Sequence, residues 1–368
     1  MGPKLIEQLV ECESHIQTYS IGSNTVDVEP VQHVFEKSYD IDVVEFATDY
    51  VSTNYIYARS NEEMYALKYD EAFVHTMLTN RPEEVTMFEK KEPQWICAGD
   101  LEMNDYLAVP VPTYTKDVEH ITENDCYLFG AMIANPYMKH LMKIESGKRL
   151  VSEMIYTIHV RPFQYAKVDA IFKQREIKTF HSYNEEKDIH IFQWSRSSMQ
   201  FPFRYSDFYD ATDDYRIGYR ILNLPAEKCK QIVKGFLDTC GTIDKDIRFN
   251  FVCDQSWIQD NKFYQTLYYL CLRSGFFLDV ECKPLGTGIP GHFTCIVDIT
   301  PTVCQLMDIV YDGRALPYFE YKIGDQTILF TQIKDKDYYE FFGTMYDPSL
   351  AMNSNYLTSN GLFRCETK

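Results

Sequence analysis

The chain has 368 residues, of which 45% are hydrophobic and 15% aromatic, with 28 Tyr and 24 Phe. This length accommodates two or three domains with sizeable cores, and the composition excludes a disordered chain while favouring β structure. A formal net charge of -18 excludes a generic binder of nucleic acid or anionic membrane, because like charge repels at long range.

Residues 16–58 carry short extended runs: Ile16–Tyr19, Val26–Val34, Val43–Ala47 and Tyr55–Tyr57. Gly22-Ser23-Asn24 and polar stretches separate them, a spacing that predicts a small all-β module. Trp95 to Pro112 continues it and closes on two prolines. From Asp125 to Lys143 the spacing of Leu128, Phe129, Met132 and Ile133 predicts a helix. Residues 155–205 read as strands. Pro225 then opens a helix carrying Cys229, Ile232, Val233, Phe236 and Leu237. A strand at Ile247–Cys253, a helix from Ile258 to Arg273 and a hairpin of Phe276–Cys282 with His292–Ile299 follow. The leading helices of the middle are about a hundred residues apart, which predicts an approximate internal repeat. Residues 301–368 are again strand-rich.

Charge follows the same division, since 116–300 is near neutral and the flanks hold the negative excess. The 11 Cys contain no C-x-x-C, which reads as reduced thiols in an intracellular protein rather than a disulfide framework or zinc site. With no signal core and no membrane-length apolar run, a cytoplasmic or nuclear location without membrane contact is expected.

Leu128-Phe129-Gly130-Ala131-Met132-Ile133-Ala134-Asn135 resembles the first motif of LAGLIDADG homing endonucleases. Val233-Lys234-Gly235-Phe236-Leu237-Asp238-Thr239-Cys240-Gly241 resembles the second. The resemblance implies two helices packed through Gly130 and Gly235. The flanks resemble the Hint module of inteins: Cys12 before Ile16-Gln17-Thr18, the segment Trp95 to Tyr106, and Asn355 to Phe363. The implied fold is multidomain α+β, an all-β Hint-like module interrupted by a pseudo-two-fold LAGLIDADG-type α/β domain. Its parts would be 1–115, 116–300 (repeats near 120–222 and 223–300) and 301–368.

Both chemistries implied by these families lack residues here. The metal-holding Asp that ends each motif is replaced by Asn135 and Cys240, a weaker oxygen ligand and a poor ligand for a hard cation. Asp238 lies two residues early, about 200° around the helix. Glu62 falls where inteins carry the activating His, and Glu366 where they carry the terminal Asn. No catalytic residue, metal site or cofactor is therefore expected; Cys12, Glu62, Asn135, Cys240 and Glu366 are vestigial positions.

Three functions follow as expectations. The first is a non-enzymatic, repurposed scaffold with a protein partner; the resemblance also admits a viral source, with the virion as a further location. The second is a catalytically inactive, sequence-specific DNA-binding protein whose partner is double-stranded DNA. It would use Arg161, Lys167, Lys173, Arg175 and Lys178 from a basic stretch that also holds Lys139, Lys143, Lys148 and Arg149. In the resembled fold such residues lie on strands saddling the DNA. The third is residual cleavage at Cys12. Gly286-Thr287-Gly288-Ile289-Pro290-Gly291 opens no helix and is read as a turn, and His159, His181 and His190 share no metal-ligand spacing.

Overall fold

The structure, a computed structural model, describes residues 15–20, 25–48, 50, 56–69, 93–134, 138–141, 144–145, 148–149, 153–195, 200–209, 215–243, 248–254, 262–281, 292–298, 300–310, 318–323, 326–350, 355–358 and 361–364. In chain order, β1 is His15–Ser20, β2 Thr25–Thr48, β3 Ile56–Arg59, β4 Glu63–Leu67, β5 Gln94–Cys97 and β6 Tyr106–Pro110. Helix α1 is Glu123–Ile133, followed by β7 (Met138–Leu141), β8 (Ile144–Glu145), β9 (Lys148–Arg149) and β10 (Glu153–Val160). Next come α2 (Pro162–Gln174), β11 (Phe180–Asn184), β12 (Ile189–Ser195), α3 (Tyr219–Leu222) and α4 (Ala226–Cys240). Then follow β13 (Thr242–Ile243), β14 (Arg248–Asp254), α5 (Lys262–Arg273), β15 (Asp279–Glu281), β16 (His292–Asp298) and α6 (Pro301–Met307). The chain closes with β17 (Phe319–Ile323), β18 (Gln326–Leu350), β19 (Asn355–Thr358) and β20 (Gly361–Arg364).

Two units emerge: residues 1–115, 264–280 and 297–368 form one, and residues 116–263 and 281–296 the other. The sequence boundaries had grouped 264–280 and 297–300 with the middle of the chain. Their contacts draw them to the strand-rich unit: Tyr268 donates to the Tyr50 carbonyl, Arg273 to the Tyr114 carbonyl, and the Tyr50 ring stacks on Phe277 at 5.1 Å.

In the strand-rich unit ten strands form one sheet, ordered β1-β2-β18-β6-β4-β20-β19, with β17 on β18, β3 on β2 and β5 on β4. β4 and β6 are buried on both faces. Period-two alternation sends Met64, Ala66 and Leu107 into a core with Val44, Phe46, Ile56 and Phe363. It sends Tyr65, Leu67, Tyr106 and Ala108 into a second core with Tyr19, Ile328 and Phe330. β2 runs unbroken against β18, from Val31 opposite Leu350 to Thr48 opposite Ile333, with register shifts near either end. The sequence reading had divided this strand at its polar stretch. Backbone pairing carries it across, because the ladder does not depend on side-chain polarity.

In the other unit, α1 starts at a capping box: the Thr122 side chain accepts from Asp125 N–H, and the Asp125 carboxylate accepts from Thr122 N–H at 2.7 Å. Every residue from Asp125 to Ile133 is buried, so α1 is a core helix. It ends at Ile133 rather than continuing to Lys143, and β7 follows. Pro136 accounts for the early stop, since the residue before proline resists helical backbone.

A helix stands where strands had been read. α2 begins at Pro162, and its buried residues Gln164, Val168, Ile171 and Phe172 recur at helical spacing. It lies over a four-stranded antiparallel sheet ordered β11-β12-β10-β7, with the Phe172 ring 5.3 Å from Phe192 and 4.9 Å from Trp194. Alternation puts Ile155, Thr157, His159, Ile191, Gln193, Phe180 and Ser182 on the opposite face. α6 was also missed in the strand-rich tail. It starts at Thr300, whose hydroxyl accepts from Val303 N–H, with Pro301 in the first turn.

Candidate functional site

The expected close crossing of two motif helices is present. A Cβ on Gly130 of α1 would stand 2.0 Å from the Ile232 carbonyl oxygen and 2.8 Å from the Phe236 nitrogen of α4. A Cβ on Gly235 of α4 would stand 2.1 Å from the Tyr127 carbonyl oxygen of α1. The two backbones are therefore in van der Waals contact, and only glycine fits at either position.

Beside the crossing lies a polar cluster. Tyr127 donates its hydroxyl to Asp238 Oδ2 at 2.8 Å and accepts from Gln164 Nε2 at 3.1 Å. Gln164 Nε2 also donates to Thr239 Oγ1 at 3.0 Å, and Thr239 donates to the Gly235 carbonyl at 2.8 Å. Asp238, set off the catalytic position in the sequence reading, is thus turned into the helix interface. Burial raises its pKa, while the Tyr127 hydrogen bond and the charges of Lys234, Lys167 and Arg161 oppose the rise. Burial, and then the Asp238 charge, push the Tyr127 phenol well above its ordinary range.

A raised carboxyl pKa means that the folded protein binds this proton more tightly than the unfolded chain. Stability from this group therefore falls as pH rises through the ordinary carboxyl value to the folded one, and the loss is complete above it. Asp238→Asn is expected to gain stability relative to the parent at pH 7, with the gain shrinking on acidification. Urea denaturation at pH 7 and pH 4 measures this; a gain independent of pH would contradict it.

The vestigial positions within the described residues have structural partners. Cys240 is half-buried and its Sγ donates to the Phe236 carbonyl at 3.2 Å. Glu62 accepts from the Arg59 backbone N–H at 3.2 Å and from the Tyr356 hydroxyl at 3.2 Å, tying the β3–β4 turn to β19. Cys12, Asn135 and Glu366 lie outside the described residues, as do Lys143 and the turns at Gly22 and Gly286. Asn355 has a role that no sequence pattern signalled: its side-chain amide accepts from Tyr19 N–H and donates to Tyr19 C=O, both at 2.8 Å, so it extends the β1 ladder.

Of the basic stretch, Lys139 lies on β7 and Lys148 and Arg149 form β9, whereas Arg161, Lys167, Lys173, Arg175 and Lys178 lie off the strands. Arg161 precedes α2 and donates to the Gly241 carbonyl at 2.6 Å. Lys167 places its ammonium 3.5 Å from the centre of the Tyr127 ring. Lys173 pairs with Asp169 at 2.6 Å along the helix. Arg175 follows α2 and clamps Asp125 with Nε at 2.8 Å and with Nη2, which also donates to the His120 carbonyl. Lys178 is exposed in the connection to β11.

The fold does join two histidines whose spacing had signalled nothing. His181 Nε2 and His190 Nδ1 are 2.9 Å apart across β11 and β12. Among the described residues no group of three or more His, Cys, Asp or Glu side chains converges as a metal site, and no helix is long and apolar enough to cross a membrane.

No protein-family model matches the chain, and no curated protein matches it. Solved structures of LAGLIDADG folds do. The homing endonuclease I-DmoI in complex with DNA and Mn aligns with TM-score 0.35 and 12% identity over 51% of this chain and 98% of that one. Mesophilic variants of I-DmoI align with TM-score 0.36 and 11% identity over 51% and 96%. The N-terminal LAGLIDADG domain of WhiA aligns with TM-score 0.31 and 7% identity over 54% and 84%.

Proposed function

We propose that this protein is a non-enzymatic, repurposed chain in which a LAGLIDADG-type domain interrupts a Hint-like β module, and that it acts inside the cell by holding a protein partner. The observation that carries this reading is the α1–α4 crossing. Its glycine contacts are intact, while the residues beside it serve the packing: Cys240 bonds the Phe236 carbonyl and Asp238 bonds Tyr127. A thiol beside an inward-turned carboxyl leaves the second motif without the oxygen ligands that a hard cation needs.

The sheet supports a protein partner over a polyanion. Its face opposite α2 carries Ile155, Ile191 and Phe180 beside Thr157, Gln193 and Ser182, and among the described residues the only charges that the register adds to these are Lys139 and Glu153, one of each sign. Phosphate binding draws on Lys and Arg, and here Arg161, Lys167 and Arg175 make contacts within the protein instead.

Affinity purification of tagged protein from its native setting is expected to recover a stoichiometric protein partner that an Ile191→Asp variant does not recover. In parallel, duplex DNA at low salt with Mg²⁺ or Mn²⁺ is expected to be neither retained nor cut. Saturable, salt-sensitive duplex binding would replace this reading with that of an inactive DNA-binding protein. Loss of the first eleven residues by intact mass would instead point to cleavage at Cys12.

A further inference from the structure

β11 and β12 pair with His181 opposite Phe192 and Tyr183 opposite His190, so the two histidines are diagonal neighbours on one face. Their rings lie 5.1 Å apart at 23°. Tyr165 of α2 packs against both, 4.4 Å from His190 and 4.9 Å from His181, and Tyr183 flanks His190 at 4.7 Å. Together with Phe192, 5.0 Å from His181, these rings hold two imidazoles with their nitrogens facing each other at 2.9 Å, on a hairpin whose His181 side is exposed.

That separation has a geometric meaning. Imidazole nitrogens bind late first-row cations at about 2.0–2.1 Å. Two such nitrogens about 2.9 Å apart subtend about 90° at the metal, whereas a tetrahedral site spreads them to about 3.3–3.4 Å. A right angle suits the square-planar or tetragonal geometry of Ni²⁺ and Cu²⁺ more than tetrahedral Zn²⁺. We propose that His181 and His190 form a two-imidazole site for Ni²⁺ or Cu²⁺, with water completing the coordination sphere. Among the described residues Asp188 is the carboxylate acting on His190; it accepts from the Tyr183 hydroxyl at 2.5 Å and adds negative charge beside the pair. The same 2.9 Å would also suit two neutral imidazoles sharing one proton, and the test separates the two.

Ni²⁺ is the probe, because unlike Cu²⁺ it does not oxidise the chain's thiols. Calorimetric titration of the full-length protein at pH 7.5 is expected to show one Ni²⁺ per chain, bound more tightly than Zn²⁺. His181→Asn and His190→Asn are each expected to weaken it tenfold or more. In the unaltered chain, Ni²⁺ is expected to broaden the ring proton signals of His181 and His190 before those of the other histidines. No binding, binding unchanged in both variants, or broadening centred on other histidines would overturn the site and leave a shared-proton pair.

Discussion

Gly130→Ala is expected to lower the unfolding free energy of the α1–α4 unit by about 2 kcal/mol or more, and Gly235→Ala to do the same. Added methyl groups in a packed core cost about 1–3 kcal/mol, occasionally more. The clash here is with backbone at 2.0 and 2.1 Å, which cannot rotate away as a side chain can. To admit the Cβ, two helices must separate along their length and release Leu128, Phe129, Ile232 and Phe236 from full burial. The better helix propensity of alanine returns only about 1 kcal/mol. Chemical denaturation followed by near-ultraviolet circular dichroism reads the effect. A change within about 0.5 kcal/mol, the scale of a neutral surface substitution, would mean that the helices do not touch as described.

Arg175→Met is expected to cost about 3–5 kcal/mol, the range for removing one partner of a buried ion pair. Asp125 keeps 1% of its side chain exposed, and Arg175 is its cationic partner among the described residues. Without the guanidinium, a buried carboxylate keeps, among the described residues, the hydrogen bonds from Thr122, at 2.7 Å each to Oδ2. Asp125→Asn in the Arg175→Met background is expected to recover part of the loss, because an amide can still accept from Thr122 and carries no charge. A double-mutant cycle in urea measures this; additive effects would mean that the two residues do not act as a pair.

Arg175 also shows how far the sequence could be read. The basic stretch was visible as composition, and composition does not say which charges face inward. Asp125, fifty residues away, determines that, and no local pattern joins the two. The α1 and α4 helices were legible because their apolar spacing and paired glycines are local features. α2 was also encoded, in Pro162 and the spacing of Gln164, Val168, Ile171 and Phe172. It was hidden by β-branched and aromatic residues that weigh equally toward strands. The His181–His190 pair illustrates the same limit, since a spacing of nine residues becomes contact only when the hairpin register is known.

The long β2 strand has a further consequence. Between Glu36 and Ile41, β18 is the strand that β2 pairs with among the described residues, so that stretch lies at a sheet edge. Such an edge can template further strands from neighbouring molecules and seed fibrils. The segment's sequence includes Glu36, Lys37 and Asp40. Charged residues on an edge act as gatekeepers against this growth. The polar run that concealed the strand from a periodicity reading is therefore also the kind of sequence that opposes such growth.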